Sequence, residues 1–306
     1  MSAAERARFA ARLRDPAGPR DGAVESRRKG AFLLRALVLQ RLAAALRRAG
    51  LRALLVKGAA LALTHYAPPW SREMDDVDLL VRAKDHDAVV RTLVAAGFVP
   101  GEPTADRALS RGMFHETQLY AQLGPTGVLV EVHDALDKLV ARAVRYEAIF
   151  ARATAAPGLD GLLVPCPEDH ALLVVLHAAG HELRHEVGLV DLDRLLASGL
   201  DVSILEAHAR AARLETALYV ALSALDAAGS PHVPAELLRR LAPSPLRAGL
   251  LALVYAPRDV PIAKSAPRLG LPWVLRQIPL RDDLLAYASG VFRYAAVRAL
   301  ERARGA

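Results

Sequence analysis

The stretch DVDLLV at residues 76–81 alternates acidic and apolar side chains with a period of two. That period belongs to a β-strand with one polar and one apolar face. Asp76 and Asp78 therefore share a face, with backbones roughly 7 Å apart, close enough for both carboxylates to reach shared metal ions. The same period turns Asp75 to the opposite side, as a turn residue or a support for the pair.

The flanking sequence places this strand in an α/β domain. Residues 31–49 carry apolar side chains at helical spacing, and Gly50 stands where a helix C-terminal cap belongs. Residues 52–56 form a short apolar strand candidate, and GAALALTHY after Lys57 returns to helix until Pro68 and Pro69. A helix over 85–96 ends at Gly97, and strand candidates at 114–121 and 127–134 are joined by GPTG as a hairpin. This order predicts an α/β (α+β) domain with a small mixed sheet over residues 30–155. From Pro167 onward the periodicity is helical nearly throughout, so an all-helical domain is expected over 156–306. Residues 1–29, rich in charge, Gly and Pro, read as a short helix followed by a mobile lead-in.

Composition narrows the setting. The single cysteine, Cys166, rules out an intramolecular disulfide and a cysteine-based zinc site, and fits a reducing compartment. No apolar run approaches the roughly 18 residues of a membrane span, and the charged N-terminus does not read as a secretory signal. A cytoplasmic protein without a membrane partner is expected. The net charge of +7 would suit a polyanion, but Arg and Ala are abundant everywhere and aromatics make up only 5% of the chain. Nucleic acid is therefore possible as a partner but not favoured.

Two carboxylates on one strand face suit phosphoryl and nucleotidyl transfer, in which Mg²⁺ (or Mn²⁺) bridges carboxylate and phosphate oxygens. Lys57-Gly58 closes a strand and opens a helix, aiming backbone N–H groups at whatever lies above the strand. A third carboxylate, Glu131, is centred in VLVEVH, with His133 on the same face. Arg72, in the loop before the DxD strand, has the fork geometry to hold a phosphate.

With these residues assembled, the chain resembles the uncharacterised nucleotidyltransferases of the DNA polymerase β-like superfamily. The resemblance rests on LLVKGAALALTHYAPPWSREMDDVDLLV, VLVEVH, PEDHALLVVLHAAGHE and VDLDRLL. It implies metal-dependent transfer of a nucleotide from an NTP to an acceptor with release of pyrophosphate. By position, Asp76, Asp78 and Glu131 would be the catalytic and metal-binding set, Glu131 serving as third ligand or as base. Lys57, Gly58 and Arg72 would bind the nucleotide. The chain departs from the superfamily at the turn, where Lys57-Gly58-Ala59 replaces Gly followed by Gly or Ser.

A further set, His177, His181 and His185 with Glu182, lies along one stripe of a helix in the second domain. His133, His177 and His181 are candidate substrate contacts; core histidines and an independent metal site are the other readings. Asp191 and Asp193 fall on a helix, where a two-residue spacing diverges, and are set aside as metal ligands. The acceptor is open: a small molecule, a peptide or a protein. Two rival readings use the same residues, a metal-dependent phosphotransferase or phosphohydrolase and a non-catalytic adaptor.

Overall fold

The computed structural model describes residues 2–15, 21–101, 115–137, 139, 142–261 and 270–304. The chain divides into two compact units. One, the α/β unit, comprises 19–138, 145–166 and 293–306; the other, helical, comprises 1–18, 139–144 and 167–292.

Helix α1 (Ala3–Arg14) opens the chain in the helical unit, capped by Ser2 and Glu5 in a reciprocal capping box. It buries Phe9 and Leu13. Helix α2 (Gly22–Arg48) opens the α/β unit, with the Asp21 side chain accepting from the Ala23 N–H. The sequence placed the start of this helix at residue 31 and treated 21–29 as lead-in. The charged GAVESRRKG segment hides two helical turns because most of its residues are exposed and no core face marks the period.

The α/β unit is built on a seven-stranded mixed sheet in the order β3-β4-β5-β2-β1-β7-β6. In chain order these are β1 (Ala53–Val56), β2 (Asp76–Leu80), β3 (Phe98–Pro100), β4 (Glu116–Leu123), β5 (Thr126–His133), β6 (Thr154–Ala155) and β7 (Leu162–Val164). Helix α3 (Lys57–Thr64) follows β1 without a break, α4 (His86–Ala95) follows β2, and α5 (Tyr146–Arg152) precedes β6. Strands β2 and β5 run parallel, with Asp78 opposite Glu131, while β4 and β5 form an antiparallel hairpin with Gln118 opposite Glu131. The sheet's apolar face carries Val77, Leu79, Leu119, Val128, Val130 and Val132, packed with Val38, Leu39, Leu42 and Leu46 of α2 and Val89 and Leu93 of α4. Period two fixes the consequence: with the odd-numbered residues of β2 committed to the core, Asp76 and Asp78 stand on the other face.

The unit extends further than the sequence indicated. Strand β7 pairs in parallel with β1, so residues 156–166 belong with the sheet, and the division falls at Cys166–Pro167. Gly161, in the β6–β7 turn, has φ +103, and a Cβ there would lie 2.8 Å from the Ala43 carbonyl oxygen of α2. Only glycine permits both the conformation and the approach.

The helical unit centres on α6 (Pro167–Gly180), which is buried on almost every side from Asp169 to Leu176. Around it in sequence come α7 (Glu186–Ala197), α8 (Val202–Ala212), α9 (Glu215–Ala227), α10 (Ala235–Arg240), α11 (Pro245–Val254) and α12 (Leu271–Gln277). The last helix, α13 (Leu284–Arg304), begins in this unit and ends in the other. Among the described residues no helix is long and apolar enough to cross a membrane.

Candidate metal and nucleotide site

The polar face of the sheet is a row of side chains from three adjacent strands: Asp76 and Asp78 of β2, Glu131 and His133 of β5, and Glu116 and Gln118 of β4. Among them, Asp78, Glu131 and His133 each place a ligand-type atom within 4.8 Å of the other two. His133 Nε2 lies 3.0 Å from Asp78 Oδ1 and 3.4 Å from Glu131 Oε2. Two of the three ligands expected from the sequence, Asp78 and Glu131, are in this set, with His133 as the third. His133, expected at the substrate, joins them because parallel pairing in direct register sets Asp78 opposite Glu131, while Asp76 stands opposite Leu129.

Lys57 reaches into this group. Its Nζ lies 2.5 Å from Asp78 Oδ1, the oxygen that His133 also contacts. The two ends of this ion pair are 15% and 2% exposed at the side chain. Burial alone would push the Asp78 carboxyl up, but the Lys57 ammonium and the His133 hydrogen bond hold it down at about 2. Burial would likewise lower His133, yet its hydrogen bonds to Asp78 and Glu131 raise it. Asp76 has no such partner. Burial and the Asp78 charge push it up to about 6, with Lys57 offsetting only part.

The turn that delivers Lys57 explains the departure from the superfamily pattern. Lys57 has φ 52, the left-handed region where glycine sits without strain and a residue with a Cβ costs about 1–2 kcal/mol. Next in the chain, Gly58 lies in the first turn of α3, and Val56 at the N-cap makes no side-chain capping bond. A Cβ on Gly58 would meet Met74 Cβ at 3.1 Å and Arg72 Nη1 at 3.3 Å. The guanidinium of Arg72, buried at 9% exposure, thus rests against the opening of α3 and donates to the Glu73 carbonyl. Lys57, Gly58 and Arg72 are one neighbourhood. Asp75 serves the fold through its backbone, its carbonyl accepting from Arg35 Nη2 of α2 at 3.1 Å.

A model of an uncharacterised nucleotidyltransferase family matches residues 25–228, about two thirds of the 306-residue chain. The chain belongs to this family. No curated protein and no solved structure matches it. Family membership accounts for the strand, turn, helix and DxD strand together, and the mixed sheet with a helical C-terminal region is consistent with the nucleotidyltransferase fold.

Two residues on the polar face went unremarked in the sequence, Glu116 and Gln118. The hairpin was expected and both residues follow the period of two in ETQLYA; what was not drawn from it is the register, in which Leu123 pairs with Thr126 and Gln118 therefore stands opposite Glu131. The four residues read as one helical stripe do not share a helix: His177 lies on α6, which ends at Gly180, while His181, Glu182 and His185 follow in a turn where Glu182 and Leu183 have positive φ. The His177 and His181 rings are 4.5 Å apart and the His181 and His185 rings 5.0 Å, and Glu182 beside them is buried and paired with Arg184 and Arg276. Asp193 accepts from Ser230 and lies 3.2 Å from His232 Nδ1.

Proposed function

We propose that this protein transfers a nucleotide from an NTP to an acceptor, releasing pyrophosphate, with a divalent metal held by Asp78, Glu131 and His133. The observation that carries the reading is the convergence of these three side chains beside the Lys57-Gly58 turn, in a chain of a nucleotidyltransferase family. Two carboxylates and one imidazole fit a divalent cation, and the imidazole favours Mn²⁺ over Mg²⁺, which prefers an all-oxygen shell. When bound, such an ion would neutralise phosphate charge and lower the barrier to displacement.

The chain's own groups do the rest. Lys57 and Arg72, with the N–H groups opening α3, hold the triphosphate. An acceptor oxygen attacks the α-phosphorus, the bond to the β-phosphate oxygen breaks, and pyrophosphate leaves with the electron pair. The acceptor's proton passes to a carboxylate of the row, with Glu131 in the role of base. Asp76 stands on the same strand face as Asp78 and, as a carboxylate above about pH 6, would add a further donor to them. The acceptor is a small molecule, a peptide or a protein, and the reaction runs in the cytoplasm, where NTP is supplied.

The test is a transfer screen with α-labelled and γ-labelled NTPs and Mn²⁺ or Mg²⁺. Transfer of the α-label with release of pyrophosphate, lost in Asp78→Asn, supports the reading. Release or transfer of the γ-label alone assigns the same residues to a phosphohydrolase or phosphotransferase. Absence of metal-dependent nucleotide binding by thermal shift leaves the adaptor reading.

A further inference from the structure

We propose that Gln118 is a positioning residue that fixes the Glu131 carboxylate and decides which of its oxygens faces Asp78 and His133. The proposal rests on the metal site described above. Gln118 Nε2 lies 3.1 Å from Glu131 Oε1 and 2.9 Å from Glu116 Oε1. The other oxygen of Glu131, Oε2, is the one 3.4 Å from His133 Nε2. One carboxylate is thus divided between two tasks, with Oε1 tethered to β4 and Oε2 offered to the site.

The chemistry of the amide makes this assignment directional. A primary amide nitrogen carries two hydrogens and no acceptor, and each carboxylate can only accept. The nitrogen must therefore face both Glu116 and Glu131, one hydrogen to each, because the reverse orientation would set the amide oxygen against two anions. A carboxylate at position 118 would repel both neighbours, and a lysine would add a cation beside the site. Glutamine neutralises nothing and orients both.

Packing does not account for this residue. Gln118 is exposed, whereas its neighbours along the strand, Leu119 and Ala121, are buried in the core. Side chains that hold a ligand by its far atom typically change metal affinity about 10–100-fold when removed.

The experiment uses the full chain and Mn²⁺ alone, with free Mn²⁺ followed by electron paramagnetic resonance and folding followed by circular dichroism. Gln118→Leu should weaken Mn²⁺ binding about tenfold while leaving the melting temperature within a degree or two, and Gln118→Met should behave alike. Glu131→Gln should also weaken binding, and the double variant should bind no worse than Glu131→Gln, because Gln118 acts only through that carboxylate. Mn²⁺ affinity unchanged within twofold in Gln118→Leu, or additive losses in the double variant, would overturn the positioning role while leaving the site intact. Unchanged affinity in Glu131→Gln would instead overturn the site, and this inference with it.

Discussion

Asp78 and Asp76, two residues apart on one strand face, sit in opposite electrostatic states: the first is paired by Lys57 and His133 and held at about 2, the second is pushed up to about 6. In sequence they are equivalent. Substituting each should therefore change stability with opposite sign.

Asp78→Asn leaves the Lys57 ammonium without its counter-charge in a buried place, and Lys57→Met leaves the Asp78 carboxylate in the same position. Each should lower the free energy of unfolding at pH 7 by about 3–5 kcal/mol, the usual cost of breaking a buried pair from one side. Urea denaturation of the metal-free protein checks this. Unchanged midpoints for both variants would place the pair in solvent.

Asp76→Asn should stabilise the metal-free protein at pH 7.5 by roughly 2 kcal/mol after allowance for partial exposure. The unfolded Asp76 loses its proton near 3.8 and the folded one near 6, so the folded state binds more protons between those values. Stability then falls as pH rises from about 4 to 6 and stays lowered above. The advantage of Asp76→Asn should accordingly vanish at pH 4. Thermal melts in chelator at both pH values measure it, and an advantage that persists at pH 4 would contradict the assignment.

His133→Ala should narrow the preference for Mn²⁺ over Mg²⁺, because the imidazole is the donor that Mg²⁺ tolerates least. Calorimetric titration of both ions gives the ratio of affinities before and after substitution. A ratio that does not move would mean that His133 does not touch the ion.

Gly161→Ala should destabilise the protein by about 3 kcal/mol, combining a left-handed backbone with a methyl driven into the Ala43 carbonyl oxygen. Mn²⁺ affinity of the folded fraction should stay unchanged, since the β6–β7 turn contributes nothing to the row of acids. Denaturation and Mn²⁺ binding on the same sample separate the two effects.

How much of this was legible depends on the length of the signal. Strands β2 and β5, with five and eight residues of regular alternation, can be read directly, and so can the position of Asp78 and Glu131 on one face. Strands β3, β6 and β7, of two or three residues, cannot be read, because no period is established in so few positions. That is why the end of the α/β unit was misplaced by eleven residues' worth of chain between 156 and 166. Within the site, His133 was read on the same face as Glu131, but its contact with Asp78 was not, since register between strands is a tertiary fact. Lys57 was legible as a residue of interest. Its left-handed backbone and its hold on Asp78 were not, because neither a dihedral angle nor a contact with a residue 21 positions away follows from local spacing.

The pairing of β2 with β5 has a consequence for the order in which the molecule assembles. Asp78 and His133 stand 55 residues apart in the chain, and parallel strands cannot meet through a local turn. Closing so long a loop is among the slower events available to a folding chain. The cluster therefore does not exist in any partly folded form that lacks the centre of the sheet. During refolding, uptake of Mn²⁺ would act as a clock for that one pairing, silent while the helices form and rising only when the two middle strands have found each other.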